Sequence, residues 1–186
     1  MRITFNSPAV LTFTVIAVVV QALSDTIFVG FNHAFFASTG HFDFGAVADY
    51  FRLVSHAAGH DGWAHLVGNF SIILLIGPIL EEKYGTKDLA FMMIFTAAVT
   101  GVLNVAFWDT GLLGASGIVF MMILLGSLVN LKSGTIPLTF ILILLLYMGN
   151  EVLHALGTPD QVSQFAHIVG GLCGMGFGFL LGTKRA

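Results

Sequence analysis

Charge is what this sequence has least of. Asp, Glu, Lys and Arg together make up 9% of its 186 residues, against roughly 25% in soluble domains. That excludes an ordinary water-soluble fold. The seven Lys and Arg form no basic tract and the net charge is −3, so nucleic acid is not an expected partner. Cysteine is reduced to Cys173 alone, which rules out an internal disulfide. No His-Glu-x-x-His occurs, and with it goes the helical signature of one large class of zinc hydrolases. No Ala-x-Ala pattern directly ends the first apolar run, so that run is expected to be a retained span rather than a signal peptide.

Apolar residues are abundant instead. They make up 56% of the chain, and mean hydropathy is +0.93. The runs are long and continuous, unlike the ~10-residue alternating strands of a barrel. Only helices and closed barrels satisfy their backbone groups in hydrocarbon. The expectation is therefore an all-α membrane protein, a six-helix bundle forming one domain over residues 1–186. Its spans fall near 8–30, 63–80, 88–108, 115–131, 135–154 and 161–182. Residues 31–62 are mixed aromatic and polar, which predicts a partly helical first loop in the headgroup region.

Six spans put Arg2, Lys83, Lys87, Lys132, Lys184 and Arg185 on one side and Arg52 alone on the other. By the positive-inside rule both termini are cytoplasmic. Segments two, four and six then run inward from the outer face. His65, Asn69, Ser116 and His167 consequently lie at similar depth on the outer side. Segment four, from Ser116, has 16 residues, about 24 Å of helix against a core of about 30 Å. The loop 111–115 should therefore dip inward, leaving Ser116 in a wet depression.

Taken singly, each of these residues has a plain structural reading. A serine in a membrane helix is commonly a packing residue, and a histidine commonly bonds a neighbouring helix. Position adds meaning. Ser116 in Gly114-Ala115-Ser116-Gly117 opens a helix, where free N–H groups and the dipole favour a developing oxyanion. Gly170, Gly171, Gly174 and Gly178 follow His167 on one face, a small-residue stripe for close helix approach. If segment four lies there, His167 reaches Ser116 as the base that a nucleophilic serine requires. Phe120 shares a face with Ser116 and would stack on an imidazole. His65 and Asn69, four residues apart, share a face and carry donors suited to an oxyanion. Glu151 and Asp160 are the acids nearest His167 in sequence on that side, but neither is spaced to reach it, so a dyad is expected. His56 and His60 have i, i+4 spacing. They leave open a metal-handling protein or small transporter, although structural or surface histidines account for them better.

Together these residues resemble the rhomboid family of intramembrane serine proteases, of the six-span bacterial type. Gly114-Ala115-Ser116-Gly117 matches its nucleophile motif, and Ala166-His167 with Gly170 and Gly171 matches its base motif. His60, His65 and Asn69 fit its second-span pattern, Arg52 in Tyr-Phe-Arg resembles its first-loop Trp-Arg, and Glu81, Lys83 and Gly85 resemble its turn after span two. Phe120 stands where members often carry Tyr. The resemblance implies cleavage of peptide bonds in or near transmembrane segments of protein substrates in a bilayer. It assigns Ser116 as nucleophile, His167 as base, and His65 and Asn69 to the oxyanion, with Gly114, Gly117 and Gly171 in support. It implies no cofactor and no metal, and a bacterial inner-membrane location with the site open to the outer side. The presence of both Ser116 and His167 argues against its inactive relatives; a non-catalytic protein that holds client helices stays a rival reading, one that would bind substrates without cutting them.

Overall fold

The computed structural model of the chain describes residues 4–38, 40–129, 135–149 and 161–181, with side chains in the last segment from Gln164 onward. Arg2, Lys132, Glu151, Asp160, Lys184 and Arg185, used in the orientation and dyad arguments above, lie outside those residues. Every regular element among the described residues is helical. α1 is Pro8–Thr26, α2 Val47–Ser55, α3 Trp63–Tyr84, α4 Thr86–Phe107, α5 Ser116–Ser127, α6 Leu138–Ile143 and α7 Gln161–Leu181. A π-helical turn, Asn32–Phe36, precedes α2, and another, Leu144–Met148, continues α6.

Four of these helices are long and apolar enough to cross a membrane: Pro8–Thr26, Trp63–Tyr84, Thr86–Phe107 and Gln164–Leu181. Two shorter apolar helices, Ser116–Ser127 and Leu138–Met148, fall at the expected fourth and fifth segments. The protein is an integral membrane protein. Several boundaries differ from the sequence reading. α3 continues through Pro78 to Tyr84 rather than stopping near residue 80. A proline inside a helix loses one hydrogen bond, and the packing around α3 offsets that loss. α5 ends at Ser127, before the expected 131, so it is even shorter than residue counting indicated.

The turn from α3 to α4 ties the bundle together. Glu81 is buried, and its two carboxylate oxygens accept the Ala9 and Val10 N–H groups at 2.9 and 3.1 Å. These are unpaired donors at the start of α1, where a carboxylate is favourable. Gly85 turns the chain at φ +86°. The start of α1, the end of α3, Lys83 and Lys87 thus share one end of the molecule. α5 is the core element: Met121, Met122, Leu124 and Leu125 are fully buried, as is Leu128 just past its end. A helix apolar on all sides belongs at the centre of a bundle.

α7 packs against α5 along its glycines. A Cβ at Gly170 would overlap the Gly117 carbonyl, one at Gly174 the Met121 carbonyl, and one at Gly178 would lie 2.5 Å from Leu128 Cδ1. The contacts advance together along both helices, so α5 and α7 run parallel, backbone against backbone. Gly171 faces elsewhere, towards Met148 and Leu124.

Candidate active site

The loop between α4 and α5 is the unusual backbone. Residues 108–115 are non-helical, and such backbone is tolerated at depth only when its polar groups find protein or water partners. The first loop supplies them. The Leu112 N–H donates to Ser38 Oγ at 2.8 Å, and the Leu112 carbonyl accepts the Ser38 N–H at 3.0 Å. The Gly114 N–H donates to the His56 carbonyl at 2.9 Å. The Ala115 N–H donates to His60 Nε2 at 3.3 Å. From α4, Asn104 Nδ2 donates to the Thr110 carbonyl at 2.9 Å. Ser116 follows as the first residue of α5, half-buried.

His56 and His60 are therefore interior braces rather than surface residues. His56 also donates from Nε2 to the Ala97 carbonyl at 3.1 Å. Both rings are buried, and desolvation pushes each pKa down to about 4, so they remain neutral at physiological pH. Both Nε2 atoms are committed to backbone. Arg52 likewise organises the first loop. Its Nη1 pairs with Asp49 Oδ1 at 2.6 Å and its Nη2 donates to the Ala34 carbonyl. Asp49 accepts the Asp43 N–H at 2.9 Å as well. That hydrogen bond, followed by Arg52, holds its carboxyl below the usual range.

His65 and Asn69 stand beside Gly114. A Cβ at Gly114 would lie 2.7 Å from His65 Cε1, 2.9 Å from its Nε2 and 3.7 Å from Asn69 Nδ2. Gly114 also has φ +129°, so glycine is required twice over, by conformation and by space. The Asp61 N–H approaches His65 Nδ1 at 3.5 Å. That contact makes Nδ1 the acceptor and leaves Nε2–H as donor in the neutral ring. Asn69 is buried, and its Nδ2 has no hydrogen-bond partner among the described residues. Two side-chain donors thus point at the chain two residues before Ser116.

On the other side, a Cβ at Gly117 would sit 3.4 Å from the Ala166 carbonyl and 3.2 Å from Thr100 Cγ2. This close approach carries His167 to α5. The His167 imidazole stacks on Phe120, with ring centroids 4.4 Å apart and planes 5° from parallel. Tyr147 meets the Phe120 ring edge-on at 5.9 Å. His167 also lies near enough to His65 for the two to interact electrostatically. Ser116, His65, Asn69, Gly114, Gly117, Phe120 and His167 are gathered at one place, at the end of the bundle opposite Lys83 and Lys87. Gly171 is set apart from it, against Met148.

Residues 47–184 match the Rhomboid domain. The chain belongs to the rhomboid family. Relatives include mouse Rhomboid-related protein 2, 30% identical over 69% of this chain and 47% of that protein. Two from Arabidopsis thaliana are RHOMBOID-like protein 2, 32% identical over 70% and 42%, and mitochondrial RHOMBOID-like protein 6, 27% identical over 87% and 54%. The rhomboid chain described here spans about half the length of these relatives.

Sequence reasoning missed Ser38, Asn104 and Asn32 as supports of the site's loop. Their signal was present but diffuse: isolated polar residues in apolar surroundings, without a motif to rank them.

Proposed function

We propose that this rhomboid protein is an intramembrane serine endopeptidase acting on transmembrane protein substrates. Ser116 is the nucleophile and His167 the general base and acid. His65, Asn69 and the Ser116 backbone N–H receive the oxyanion. The observation that carries the reading is the contact of α5 with α7, where Gly117 lies against Ala166 and Phe120 holds the His167 ring flat.

In this mechanism His167 takes the Ser116 hydroxyl proton as Oγ attacks the scissile carbonyl. Negative charge moves to the carbonyl oxygen, where the His65 Nε2–H and Asn69 Nδ2 meet it. The C–N bond breaks and His167 returns the proton to the leaving amine. Water then enters, His167 deprotonates it, and the acyl ester at Ser116 is hydrolysed.

The arrangement supports a six-span topology with both termini cytoplasmic and the site facing the outer side of a bacterial inner membrane, because Lys83 and Lys87 lie at the far end. The apolar crevice between α3 and α6, about 670 Å³ and lined by Leu75, Ile79, Ile143 and Tyr147, offers a substrate helix a way to the site. A substrate must unwind there to expose its backbone.

The test is cleavage of a reporter transmembrane substrate by purified protein in detergent, beside Ser116→Ala and His167→Ala. Cleavage by wild type alone, with fluorophosphonate labelling at Ser116, is the expected result. Equal cleavage by Ser116→Ala overturns the assignment. A transporter or metal-handling protein would not label.

A further inference from the structure

The outer end of α1 holds a buried polar chain that the proposed catalytic chemistry does not use. Gln21, Ser24 and Asn32 are 2%, 7% and 2% exposed, although they sit among apolar neighbours where polar groups are stable only when paired. Asn32 is the hub. Its backbone N–H donates to Ser24 Oγ at 3.2 Å. Its side-chain amide donates to Gln21 Oε1 and to the His60 carbonyl, each at 2.8 Å. Gln21 is held in turn through its Nε2, which donates to Asp25 Oδ1 at 3.0 Å.

His60 passes the constraint on. Its carbonyl is held by Asn32, and its Nε2 accepts the Ala115 N–H, the residue before Ser116. The ring is packed between His65 and Phe70, with centroids at 5.0 and 5.6 Å. It has little freedom beyond what its backbone allows. The same ring therefore touches the loop carrying the serine and the side chain assigned to the oxyanion.

We propose that Asn32, backed by Gln21, is a positioning residue for Ser116: by gripping the His60 carbonyl it sets the imidazole that fixes the Ala115 N–H. The inference rests on the serine-protease reading and deepens it. The chemistry is specific. Asn32 bridges two carbonyl oxygens, which needs two hydrogens on one nitrogen. An aspartate of the same shape presents acceptors to acceptors and cannot form the bridge. Small displacements of a nucleophile are amplified in rate, because attack requires a near-ideal approach.

The experiment compares wild type, Asn32→Asp, His60→Phe and the double variant in detergent. Four readouts are taken: kcat and KM on the reporter, the fluorophosphonate labelling rate at Ser116 per folded protein, hydrogen exchange of the 113–117 amides, and thermal unfolding. Asn32→Asp should lower kcat and labelling about tenfold, leave KM within about twofold, and speed exchange at Ala115. Because Asn32 acts through His60, the double variant should be no slower than His60→Phe, a non-additive cycle. A lowered unfolding temperature with unchanged labelling and exchange overturns the proposal, as do effects that multiply in the double variant. If Asn32→Asp does not fold, Gln21→Leu removes the second carbonyl and should shift labelling and exchange in the same direction; unchanged values overturn the proposal. If wild type neither cuts nor labels, the protease reading fails on its own. Exchange at Ala115 then decides whether Asn32 holds the loop.

Discussion

The Phe120 ring lies flat on the His167 imidazole, 4.4 Å between centroids and 5° from parallel. One residue thereby fixes the plane in which the proposed base presents its nitrogens. Ring pairs of this kind contribute about 0.5–1.5 kcal/mol beyond burial. Phe120→Leu should slow reporter cleavage about three- to tenfold, taking about 1.4 kcal/mol as a factor of ten. Phe120→Tyr should keep the rate. Steady-state cleavage of the two variants checks this, and an unaffected Phe120→Leu would show that the stack does not orient the base.

Asn69 gives the opposite pattern to a structural polar residue. Its Nδ2 is buried without a partner among the described residues, so truncating it breaks no hydrogen bond of that nitrogen among them. Asn69→Ala should lower kcat by roughly 10² while leaving thermal unfolding nearly unchanged. A large fall in unfolding temperature would assign Asn69 to the fold instead.

The α5–α7 contact predicts a glycine ranking. A Cβ at Gly170 overlaps the Gly117 carbonyl, whereas one at Gly176 meets nothing within 4 Å. Backbone cannot yield as a side-chain tip does, so Gly170→Ala should destabilise by about 1–3 kcal/mol and abolish cleavage by parting the helices. Gly176→Ala should be neutral or stabilising by up to about 1 kcal/mol. Thermal unfolding in detergent separates the two.

Glu81 accepts two N–H groups at the start of α1. Glu81→Gln turns one acceptor into a donor facing a donor. That should cost about 1–3 kcal/mol, the penalty for an unpaired buried polar group. The loss should appear in thermal unfolding, with cleavage by the remaining folded fraction retained.

The pH dependence has a definite sign. His56 and His60 are held neutral, with pKa values near 4 against 6.5 when exposed. Between those values the unfolded chain binds more protons, so acid favours unfolding. Their contribution is fully present above about pH 6.5 and is lost progressively towards pH 4. Unfolding temperature in detergent should fall across that window, and less steeply in His60→Phe. A flat profile would show that these rings are not buried as neutral groups.

Much of this protein was legible because the bilayer enforces simple rules. Scarce charge and long apolar runs required membrane helices, since no other open structure pairs its backbone in hydrocarbon. Gly170, Gly174 and Gly178 marked a close-approach face because a missing Cβ has the same effect in any fold. The length of α3 was less legible. Pro78 signals a break by local propensity, but packing carries the helix through it to Tyr84. The π-helical turns, Asn32–Phe36 and Leu144–Met148, have no sequence signature and arise where neighbouring elements impose the backbone.

By itself the sequence determined the class of molecule and the placing of its apolar helices, and it named the side chains proposed here for chemistry, because composition and periodicity are local properties. Only the tertiary structure decided which of the seven histidines stand near Ser116 and which brace its loop. His56 and His60 look like candidate ligands in a linear reading, yet each gives its Nε2 to a backbone group from another part of the chain. Those partners lie 41 and 55 residues away. Pairing over such distances is set by how helices pack, and no local pattern encodes it.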